Sequence, residues 1–472
     1  MSPHFSRSFV WKLLPAHPLG PVREKKIKTS QIRKFGFVLV ALATVSSSPA
    51  AVRFYALGDL SGGTFDSTAL AVSADGSGVV GQSNSSKSQF EAFRWTKATG
   101  MVSLPNLPVG TVFRGAAASA DLRHIAATLE GTSEGALWTL GVGATSVADL
   151  PGGGVLNFVT GISPDGTVVV GTSNSTEGRQ AYRWSVAAGI LGLGDLAGGG
   201  YFSQSSDASA DGSVVVGVSE SASGQEAFIW QQNKGSMAGL GDLPEGAFSS
   251  WAQAVSANGA VVVGRGTSAS GSEAFRWTSG LGMQALGDLA GGAFTSSALN
   301  VTSAGSLIVG YGTSSLGAQA VLWDANLQKR VIQDMVAAEG LTLPGWRLAF
   351  AYGISDNGRH IVGSGINPTG NYEAWLVSFF PNPPTIKLTS PATVRAKNDG
   401  TFKIRGTAAD DAAVVRVEYQ LGGEGEWRKA SGKREWTVTG KLRKSATKIT
   451  VRIRSVDEDG QKSKPVAVKV IR

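Results

Sequence analysis

A unit of about 46 residues recurs from residue 54 to about residue 380, and this repetition restricts the possible folds more than any other feature. Six tryptophans mark the unit, at successive spacings of 43, 46, 46, 47 and 46 residues. They are Trp95, Trp138, Trp184, Trp230, Trp277 and Trp323. A strand-rich repeat of roughly 40 to 50 residues is typical of the blades of a β-propeller. We therefore expect one ring of similar blades instead of unrelated globular domains.

Each unit contains three short motifs, shown best by the copy that ends at Trp230. Leu-Gly-Asp-Leu comes first, Ser-Ala-Asp-Gly then leads into Val-Val-Val-Gly at Ser209–Gly217, and the last strand is Glu226–Trp230. Asp-Gly between apolar strands predicts a hairpin, because both turn residues must tolerate positive φ. The continuous apolar run after the turn predicts a strand that is covered on both faces, as inner blade strands are.

The number of turns predicts seven blades, with six or eight as the alternatives. Seven turns begin at equivalent serines, namely Ser73, Ser119, Ser163, Ser209, Ser256, Ser303 and Ser355. The last unit is atypical, as terminal repeats often are: it adds a short predicted helix around Ile332–Glu339 and carries Trp375 where other units have Phe. We expect the first strand, near residues 53–60, to complete the ring beside the last blade.

The order of the three motifs resembles the HAF repeat of bacterial extracellular proteins. The segments Gly353–Gly358 and His360–Gly365 look like the closing repeat of that family. This resemblance covers about 330 residues and implies secretion and a propeller-like fold, while the family supplies no established activity or catalytic residue. The second repeat departs most, with Leu122 in place of the turn glycine and Ala126-Ala127 in place of Val-Gly.

The amino-terminal residues 1–50 have the order of a secretory signal peptide with a long basic region. Basic residues between Arg23 and Lys34 precede the apolar run Phe35–Val45, and small residues follow up to Ala50. The run of 11 residues is shorter than the about 20 that a membrane-spanning helix needs. We predict cleavage near Ala50, no permanent membrane span, and an extracellular or cell-surface location.

The repeats, predicted as a propeller over residues 51–380, end at a proline-rich linker over residues 381–384, and residues 385–472 predict an immunoglobulin-like β-sandwich. The segment Gly406–Asp411, with Val-x-Val-x-Tyr after it, resembles the bacterial immunoglobulin-like modules of secreted proteins. Between the apolar strand positions lie cations that we expect on an outer face, namely Lys403, Arg405, Arg452, Arg454 and Lys469, and we take the first four as candidate binding residues. They are candidates for binding anionic glycan, cell-surface phosphate or the acidic propeller, and a solvated charged surface is the alternative.

Charge is distributed unevenly along the chain. Lys and Arg outnumber Asp and Glu by 8 to 1 in residues 1–50 and by 20 to 10 in residues 381–472, whereas residues 51–380 carry 15 against 24. The basic pI of about 9.5 therefore describes the two ends of the chain, and it predicts no nucleic-acid partner.

No motif predicts catalysis, a cofactor or a metal site. The chain has no Cys, which excludes disulfides, thiolate metal ligands and a Cys nucleophile. One Asp per blade, at Asp59, Asp195, Asp242 and Asp288, suggests calcium or glycosidase chemistry, yet Ca²⁺ needs six to eight closely spaced oxygens, so we favour a structural role. Neither His124 nor His360 has a companion for acid–base work, and Asp457 and Asp459 form only a partial calcium-like turn.

Together these patterns predict a secreted, monomeric, non-catalytic binding or scaffold protein. We expect its propeller loops to contact an extracellular or cell-surface glycan or protein, with the six tryptophans packing the core. The alternative is a carbohydrate-active hydrolase or lyase on the same ring. Such an enzyme needs two carboxylates within roughly 5 to 10 Å in one funnel.

Overall fold

A computed structural model describes residues 52–88, 90–104, 113–129, 131–380, 384–409, 414–422, 425–457 and 462–472. The predicted signal peptide lies outside the described residues, as do the first three residues of the predicted linker and Asp459. Strands dominate both the repeat region and the carboxy-terminal region.

The repeat region folds into seven four-stranded units, which are the blades of a β-propeller. Single bridges between neighbouring blades join blades 1 and 2, 3 and 4, and 5 and 6 into eight-stranded sheets. Blade 1 contains β2 (Ser67–Val72), β3 (Gly78–Ser83), β4 (Glu91–Thr96) and β5 (Gly100–Ser103). Blade 2 contains β6 (Phe113–Ala118), β7 (His124–Leu129), β8 (Gly135–Thr139) and β9 (Gly143–Val147). Blade 3 contains β10 (Gly152–Ile162), β11 (Val169–Ser175), β12 (Arg179–Ser185) and β13 (Gly189–Gly192).

The next three blades repeat this order of strands. Blade 4 contains β14 (Gly198–Ala208), β15 (Val214–Ser221), β16 (Gly224–Gln231) and β17 (Ser236–Gly239). Blade 5 contains β18 (Trp251–Val255), β19 (Val261–Ser268), β20 (Gly271–Thr278) and β21 (Gly282–Ala285). Blade 6 contains β22 (Gly291–Val301), β23 (Ile308–Ser314), β24 (Gly317–Trp323) and β25 (Lys329–Val331).

Blade 7 is assembled from both ends of the repeat region. It contains β26 (Arg347–Ile354), β27 (His360–Ile366) and β28 (Tyr372–Phe379), and its fourth strand is β1 (Val52–Ala56). Strand β1 pairs antiparallel with β28, from Val52 opposite Phe379 to Ala56 opposite Trp375. The predicted ring closure and the predicted count of seven blades are both confirmed.

An apolar cluster fills each of the seven interfaces between neighbouring blades. Every cluster contains at least one buried aromatic ring: Phe93, Trp138, Tyr182, Phe228, Phe275, Trp323 or Trp375. The cluster between blades 7 and 1 joins Val362 and Leu376 of one to Phe93 of the other. No blade covers both of its own faces, so the stability of each depends on its two neighbours.

Hydrogen bonds between neighbouring blades explain why the motifs recur. The Ser250 hydroxyl donates to the Gly241 carbonyl (2.5 Å) and accepts the amide of Ala227 in blade 4 (2.9 Å). The amide of Gly241 donates to Glu226 Oε1 (3.0 Å). The same arrangement occurs at the closing interface, where Ser67 accepts the Ala374 amide and Glu373 accepts the Gly58 amide.

The Ser-Ala-Asp-Gly turns follow the predicted turn chemistry. Asp211 Oδ1 accepts the hydroxyl of Ser209 (2.9 Å) and the amide of Ser213 (3.0 Å). Gly212 has a φ of 65° and lies against Val168 of blade 3, so close that a Cβ would be 2.4 Å from a Val168 methyl. This glycine therefore serves both the turn and the contact between the blades.

Blade 2 replaces that glycine with Leu122, and blade 1 compensates. Leu122 keeps the positive φ (55°) and is only 1% exposed. A Cβ on Gly78 of blade 1 would be only 2.9 Å from a methyl group of Leu122. Blade 3 has the larger Val168 at the position equivalent to Gly78. The exchange of a large and a small residue across the interface preserves its packing.

The predicted helix is present as α1 (Ile332–Ala338), in the connection between blades 6 and 7. Its Ile332 and Val336 are buried in the cluster with Trp375. The helix is therefore part of the packing between these two blades.

The carboxy-terminal residues form two packed sheets. One contains β29 (Thr385–Leu388), β31 (Thr401–Ala409), β35 (Glu435–Lys441) and β34 (Ser431–Gly432) in the order β29-β31-β35-β34. The other contains β30 (Thr393–Arg395), β37 (Val466–Ile471), β36 (Lys448–Asp457), β32 (Val414–Leu421) and β33 (Arg428–Lys429) in the order β30-β37-β36-β32-β33. Their shared core includes Ile404, Val417, Trp436 and Ile453. The predicted immunoglobulin-like sandwich is confirmed.

The described residues of this sandwich contain nine strands instead of the seven expected from its length. Two of them, β33 and β34, are two residues long, because the chain changes sheets between them at the buried residue Ala430. Strand β30 likewise leaves its neighbours in sequence and pairs parallel with β37.

Replacing Trp323 by Ala should destabilise the whole ring. The side chain of Trp323 is fully buried, and its Nε1 donates to the Leu286 carbonyl (3.0 Å). We expect the free energy of unfolding, measured by guanidinium denaturation of the full chain, to fall by about 3–5 kcal/mol. Val142→Ala is the control, since Val142 is 79% exposed and should change this free energy by no more than about 0.5 kcal/mol. Equal unfolding midpoints for the two variants would contradict the packing role.

Candidate functional site

The first strand of every blade lines a channel at the centre of the ring. A cavity of about 520 Å³, which we call the central cavity, is lined by residues of β2, β6, β10, β14, β18, β22 and β26, with Gln82 of β3 beside them. A smaller cavity of about 120 Å³, the turn-side cavity, continues the channel toward the Ser-x-Asp-Gly turns. The volume of the central cavity is within the range of small-molecule sites.

A β-bulge at the same point of each lining strand shapes the channel. In β14 the register shifts between Ser205 and Asp207, and the other six strands show the same irregularity. A bulge inserts one residue and changes the direction in which side chains point. The residues immediately after the bulge form one layer around the axis: Ala71, Ala117, Gly161, Asp207, Ala254, Asn300 and Gly353.

This layer differs between blades, although the blades share their frame. Five of its seven residues are Ala or Gly, and Asp207 and Asn300 are the exceptions. By contrast, the frame serine occurs at the same place in four blades, as Ser67, Ser203, Ser250 and Ser296. A ring of similar blades therefore encloses an asymmetric cavity.

The central cavity combines side-chain amides, two aromatic rings and one carboxylate. The amides belong to Gln82, Gln204, Gln253 and Asn300, and the rings to Trp251 and Tyr352. Trp251 Nε1 donates to the Ser206 hydroxyl (3.0 Å), which fixes the indole against blade 4. The Arg265 guanidinium lies 5.5 Å from the centre of the same ring.

A second group of aromatic rings extends the cavity at blades 6 and 7. Phe350 lies edge-on to Tyr311 at 5.0 Å and stacks with Tyr352 at 5.9 Å between ring centres. Tyr352 and Gln82 also border a neighbouring cavity of about 230 Å³ that contains Tyr372, which is 42% exposed. The cavity thus has an aromatic wall beside its polar amides.

Asp207 is held in the channel wall by backbone amides. Its Oδ1 accepts the amide of Ala208 (2.8 Å), and its Oδ2 accepts the amide of Val255 in blade 5 (3.0 Å). Burial raises the pKa of Asp207 to about 6, and these two hydrogen bonds oppose the shift without cancelling it. Asn300, at the equivalent place in blade 6, accepts the Val301 amide (2.7 Å) and donates its Nδ2 to the Tyr352 carbonyl (3.3 Å).

The six tryptophans of the repeat lie between blades and not in the central cavity. Trp138 and Trp323 are fully buried, and Trp95, Trp184 and Trp230 are 7%, 6% and 3% exposed. Trp277 is half-buried and packs on the cluster between blades 4 and 5. Trp251, which does line the cavity, falls outside the repeated motif and was not predicted.

The recurring aspartates do not converge on the channel. Asp242 accepts the amides of Leu243, Ser249 and Thr267, and Asp288 accepts the equivalent three. Asp59 accepts the Ser83 hydroxyl, and Asp195 carries no hydrogen bond to another blade among those of the described residues. Asp59, Asp242 and Asp288 thus organise the connection into the next blade, as the structural hypothesis expects.

The two histidines among the described residues, His124 and His360, lie in different blades and in different interfaces. His360 hydrogen-bonds through Nδ1 to Ser378 (2.9 Å) and packs on Gly76 of blade 1, and burial lowers its pKa to about 4. His124 packs on Gly166 of blade 3. Each side chain fills a contact between blades, and neither lines the central cavity.

The four cations predicted for the sandwich do not share a face. Lys403 and Arg405 lie on β31, whereas Arg452 and Arg454 lie on β36 in the other sheet. The outer face that includes β36 also carries Arg395, Arg416, Lys429, Lys448 and Lys469, against the single carboxylate Glu418 among its described side chains. The single-face expectation was wrong because the two strands belong to opposite layers.

Glu418 orders part of this cationic face. Its two carboxylate oxygens bind Arg416 (2.7 Å) and Arg454 (2.7 Å), and together they hold the pKa of Glu418 below its usual range despite partial burial. Trp427 lies under the Arg454 guanidinium at 3.8 Å. The remaining cations of the face have no such carboxylate among the described side chains, and they leave it strongly positive.

No group of three or more His, Asp or Glu residues in the described part of the chain is placed to hold a metal ion. Within the same residues, no helix has the length and apolar character needed to cross a bilayer.

Comparisons with known proteins assign the carboxy-terminal region. Residues 384–451 match the model of a bacterial Ig domain. A comparison with curated proteins found no match.

Several solved structures are similar to parts of this chain. TolB from Acinetobacter baumannii is 14% identical over 56% of this chain and 62% of its own, with a TM-score of 0.37. The putative TolB from Agrobacterium tumefaciens is 15% identical over 58% of this chain and 92% of its own, also at 0.37. The fibronectin(III)-like modules of Clostridium thermocellum CbhA are 27% identical over 18% of this chain and 94% of theirs, with a TM-score of 0.16. These similarities assign no function.

The raised pKa of Asp207 predicts a pH dependence of stability. Between about pH 4 and pH 6 the folded chain keeps the proton of Asp207 while the unfolded chain has lost it, so this group makes the free energy of unfolding fall as pH rises. We expect a contribution of about 1–3 kcal/mol between pH 4 and pH 7 that is absent in Asp207→Asn, measured by urea denaturation.

Asp211→Asn is the matched control in the same blade. The hydrogen bonds of its turn lower the pKa of Asp211, so its contribution has the opposite sign: it stabilises above the unfolded pKa and is lost as pH falls. The substitution is compatible with the turn, since Asn258 occupies the equivalent position in blade 5. Identical pH profiles for wild type and Asp207→Asn would show that Asp207 is not desolvated in the channel.

Proposed function

We propose that this protein is an extracellular, non-catalytic binding protein that holds part of a glycan in the central cavity of its propeller. The observation that carries the proposal is the asymmetry of the cavity. The blades repeat the residues that build the ring, yet they differ at the positions that face the channel. A purely structural ring has no need for Trp251, Asp207 and Asn300 at those positions.

The lining chemistry suits a carbohydrate. A sugar ring presents an apolar C–H face and a periphery of hydroxyl groups that both donate and accept hydrogen bonds. Trp251 and Tyr352 supply aromatic surface, and the amides of Gln204, Gln253 and Asn300 each supply a donor and an acceptor. The polar lining of the central cavity argues against a lipid, because Asp207 and the amides would lose their hydrogen bonds to water against an acyl chain.

The carboxylate content of the cavity favours binding over hydrolysis. Among the described residues that line the central cavity, Asp207 is the one carboxylate. The common glycosidase mechanisms need a pair, one acting as acid and the other as base or nucleophile. A hydrolase or lyase on this ring would have to bring its second group from elsewhere.

The extracellular location has separate support. The motif order resembles the HAF repeat of bacterial extracellular proteins, and residues 1–50 have the composition of a signal peptide. The bacterial Ig domain at residues 384–451 supplies a cationic sheet face that suits attachment to an anionic cell-surface polymer. Location and binding thus involve two different regions of the chain.

A glycan-binding test should identify the central cavity. We expect Trp251→Ala and Gln204→Ala to weaken binding of the best ligand from a glycan screen by about tenfold or more, measured by isothermal calorimetry on the full chain. Trp277→Phe, which changes a half-buried ring between blades, should leave the affinity unchanged. Unchanged affinity in both cavity variants would place the ligand elsewhere, and release of shortened products by the wild type would favour the hydrolase.

The cationic face of the sandwich should retain the protein on an anionic polysaccharide column. At ~0.15 M salt the field of exposed charges extends only about 8 Å, so retention depends on local charge density. We expect Arg452→Glu with Lys469→Glu to elute at lower salt than Lys403→Glu with Arg405→Glu, although both change the net charge equally. The second pair lies on the other sheet, and equal elution of the two variants would show that only net charge matters.

A further inference from the structure

We propose that Asp207 makes the central cavity selective for glycans that carry a free amino group, such as oligomers of glucosamine. This inference rests on the proposed function and names the ligand class of the same site. It follows from the position of Asp207, its lack of a cationic partner and the groups around it.

The side chain of Asp207 is accessible from the channel. It lines both the central cavity and the turn-side cavity, so it lies where the two meet. The residues at the same layer in the neighbouring blades are Gly161, which packs against the backbone of Ser206 and Asp207, and Ala254, whose side chain is a single methyl group. Because Asp207 lines both cavities, a ligand group of the size of an ammonium can reach the carboxylate from inside the channel.

No cation among the described residues compensates Asp207. Its hydrogen-bond partners are the amides of Ala208 and Val255, and none of the ion pairs among the described residues includes it. The strands packed beside it, β10 and β18, contribute no charged side chain. A partly desolvated carboxylate whose two donors are neutral backbone amides is stabilised by an added cation.

The other charged or titratable groups along the channel are few. Asp356 lies in the turn-side cavity and accepts the Ser303 hydroxyl, Tyr352 lines the central cavity, and Arg265 stacks on Trp251. Asp356 is exposed and lies in blade 7, three blades from Asp207. The charge that a ligand meets where the two cavities join is therefore that of Asp207, which favours ammonium and disfavours uronic acids or sulfated sugars.

Blade 6 shows which variant tests the charge alone. Asn300 occupies the position equivalent to Asp207, where its Nδ2 donates to the carbonyl of Tyr352. The residue equivalent to Tyr352 beside Asp207 is Gln253, so Asp207→Asn can adopt the same arrangement with the Gln253 carbonyl. The variant removes the charge and keeps the shape of the side chain.

The experiment compares glucosamine tetramer with N-acetylglucosamine tetramer on the full chain by calorimetry at about pH 7. We expect wild type to bind the amino form at least about tenfold more tightly, and Asp207→Asn to bind the two equally. The double variant Asp207→Asn with Asn300→Asp, which moves the carboxylate two blades along the same layer, should recover part of the preference. Melting temperatures of all variants show whether each is folded, and tetralysine as a third ligand shows whether an amine without a sugar suffices.

The preference should also depend on pH. Since burial raises the pKa of Asp207, lowering the pH to about 4.5 protonates the carboxyl while the amine stays charged, and the preference of wild type should disappear. Asp356, Tyr352 and Arg265 remain in Asp207→Asn, so any pH effect that they cause persists in that variant and can be subtracted.

The outcomes separate this inference from the proposed function. Equal binding of both tetramers by wild type, a preference unchanged in Asp207→Asn, or equal affinity for tetralysine would overturn the inference and leave glycan binding intact. Failure of every saccharide to bind the cavity would overturn the proposed function and the inference together.

Discussion

The pairing of β1 with β28 is the interaction on which the rest of the structure depends. It joins the first described residues to the end of the repeat region and makes the seventh blade complete. The interface that it creates is built like the others, with Phe93 and Leu376 in its apolar cluster and Ser67 accepting the Ala374 amide. Without closure, two blade faces would be exposed to water and the seven lining strands would not enclose a channel.

The chain separates the task of building the ring from the task of shaping its centre. Frame residues such as Ser250 and Glu226 recur because several interfaces use the same hydrogen bonds. The residues at and beside each bulge line the channel, and these positions are free to differ between blades. Asp207 illustrates the consequence: its desolvation costs stability, as expected of a residue kept for binding.

The frame could be predicted from sequence because its signals are local. The Asp-Gly turns, the apolar runs after them and the helix at Ile332 depend on neighbouring residues, so a single unit reveals them. Leu122 shows the limit of this approach. Sequence marks it as an irregular repeat, whereas the structure shows Gly78 of another blade making room for it.

The candidate site could not be predicted in the same way. The prediction from sequence relied on residues that recur in every unit, and those residues build the frame. Asp207 and Trp251 occupy positions at which the units carry different residues. A comparison of the units position by position would have found the disagreement, but only the bulge shows that these positions face one cavity. The error on the cationic face has a similar origin, since alternation along β31 and β36 predicts which side chains point outward and not which sheet each strand joins.

Closure of the ring can be tested by an engineered disulfide between β1 and β28. Arg53 lies directly opposite Ser378, and the chain has no Cys of its own, so Arg53→Cys with Ser378→Cys introduces the only two thiols. The account predicts that this pair oxidises in the folded protein and raises the unfolding temperature, while Arg53→Cys with Val142→Cys stays reduced. A pair that oxidises only after denaturation would contradict closure, and with it the existence of the central cavity.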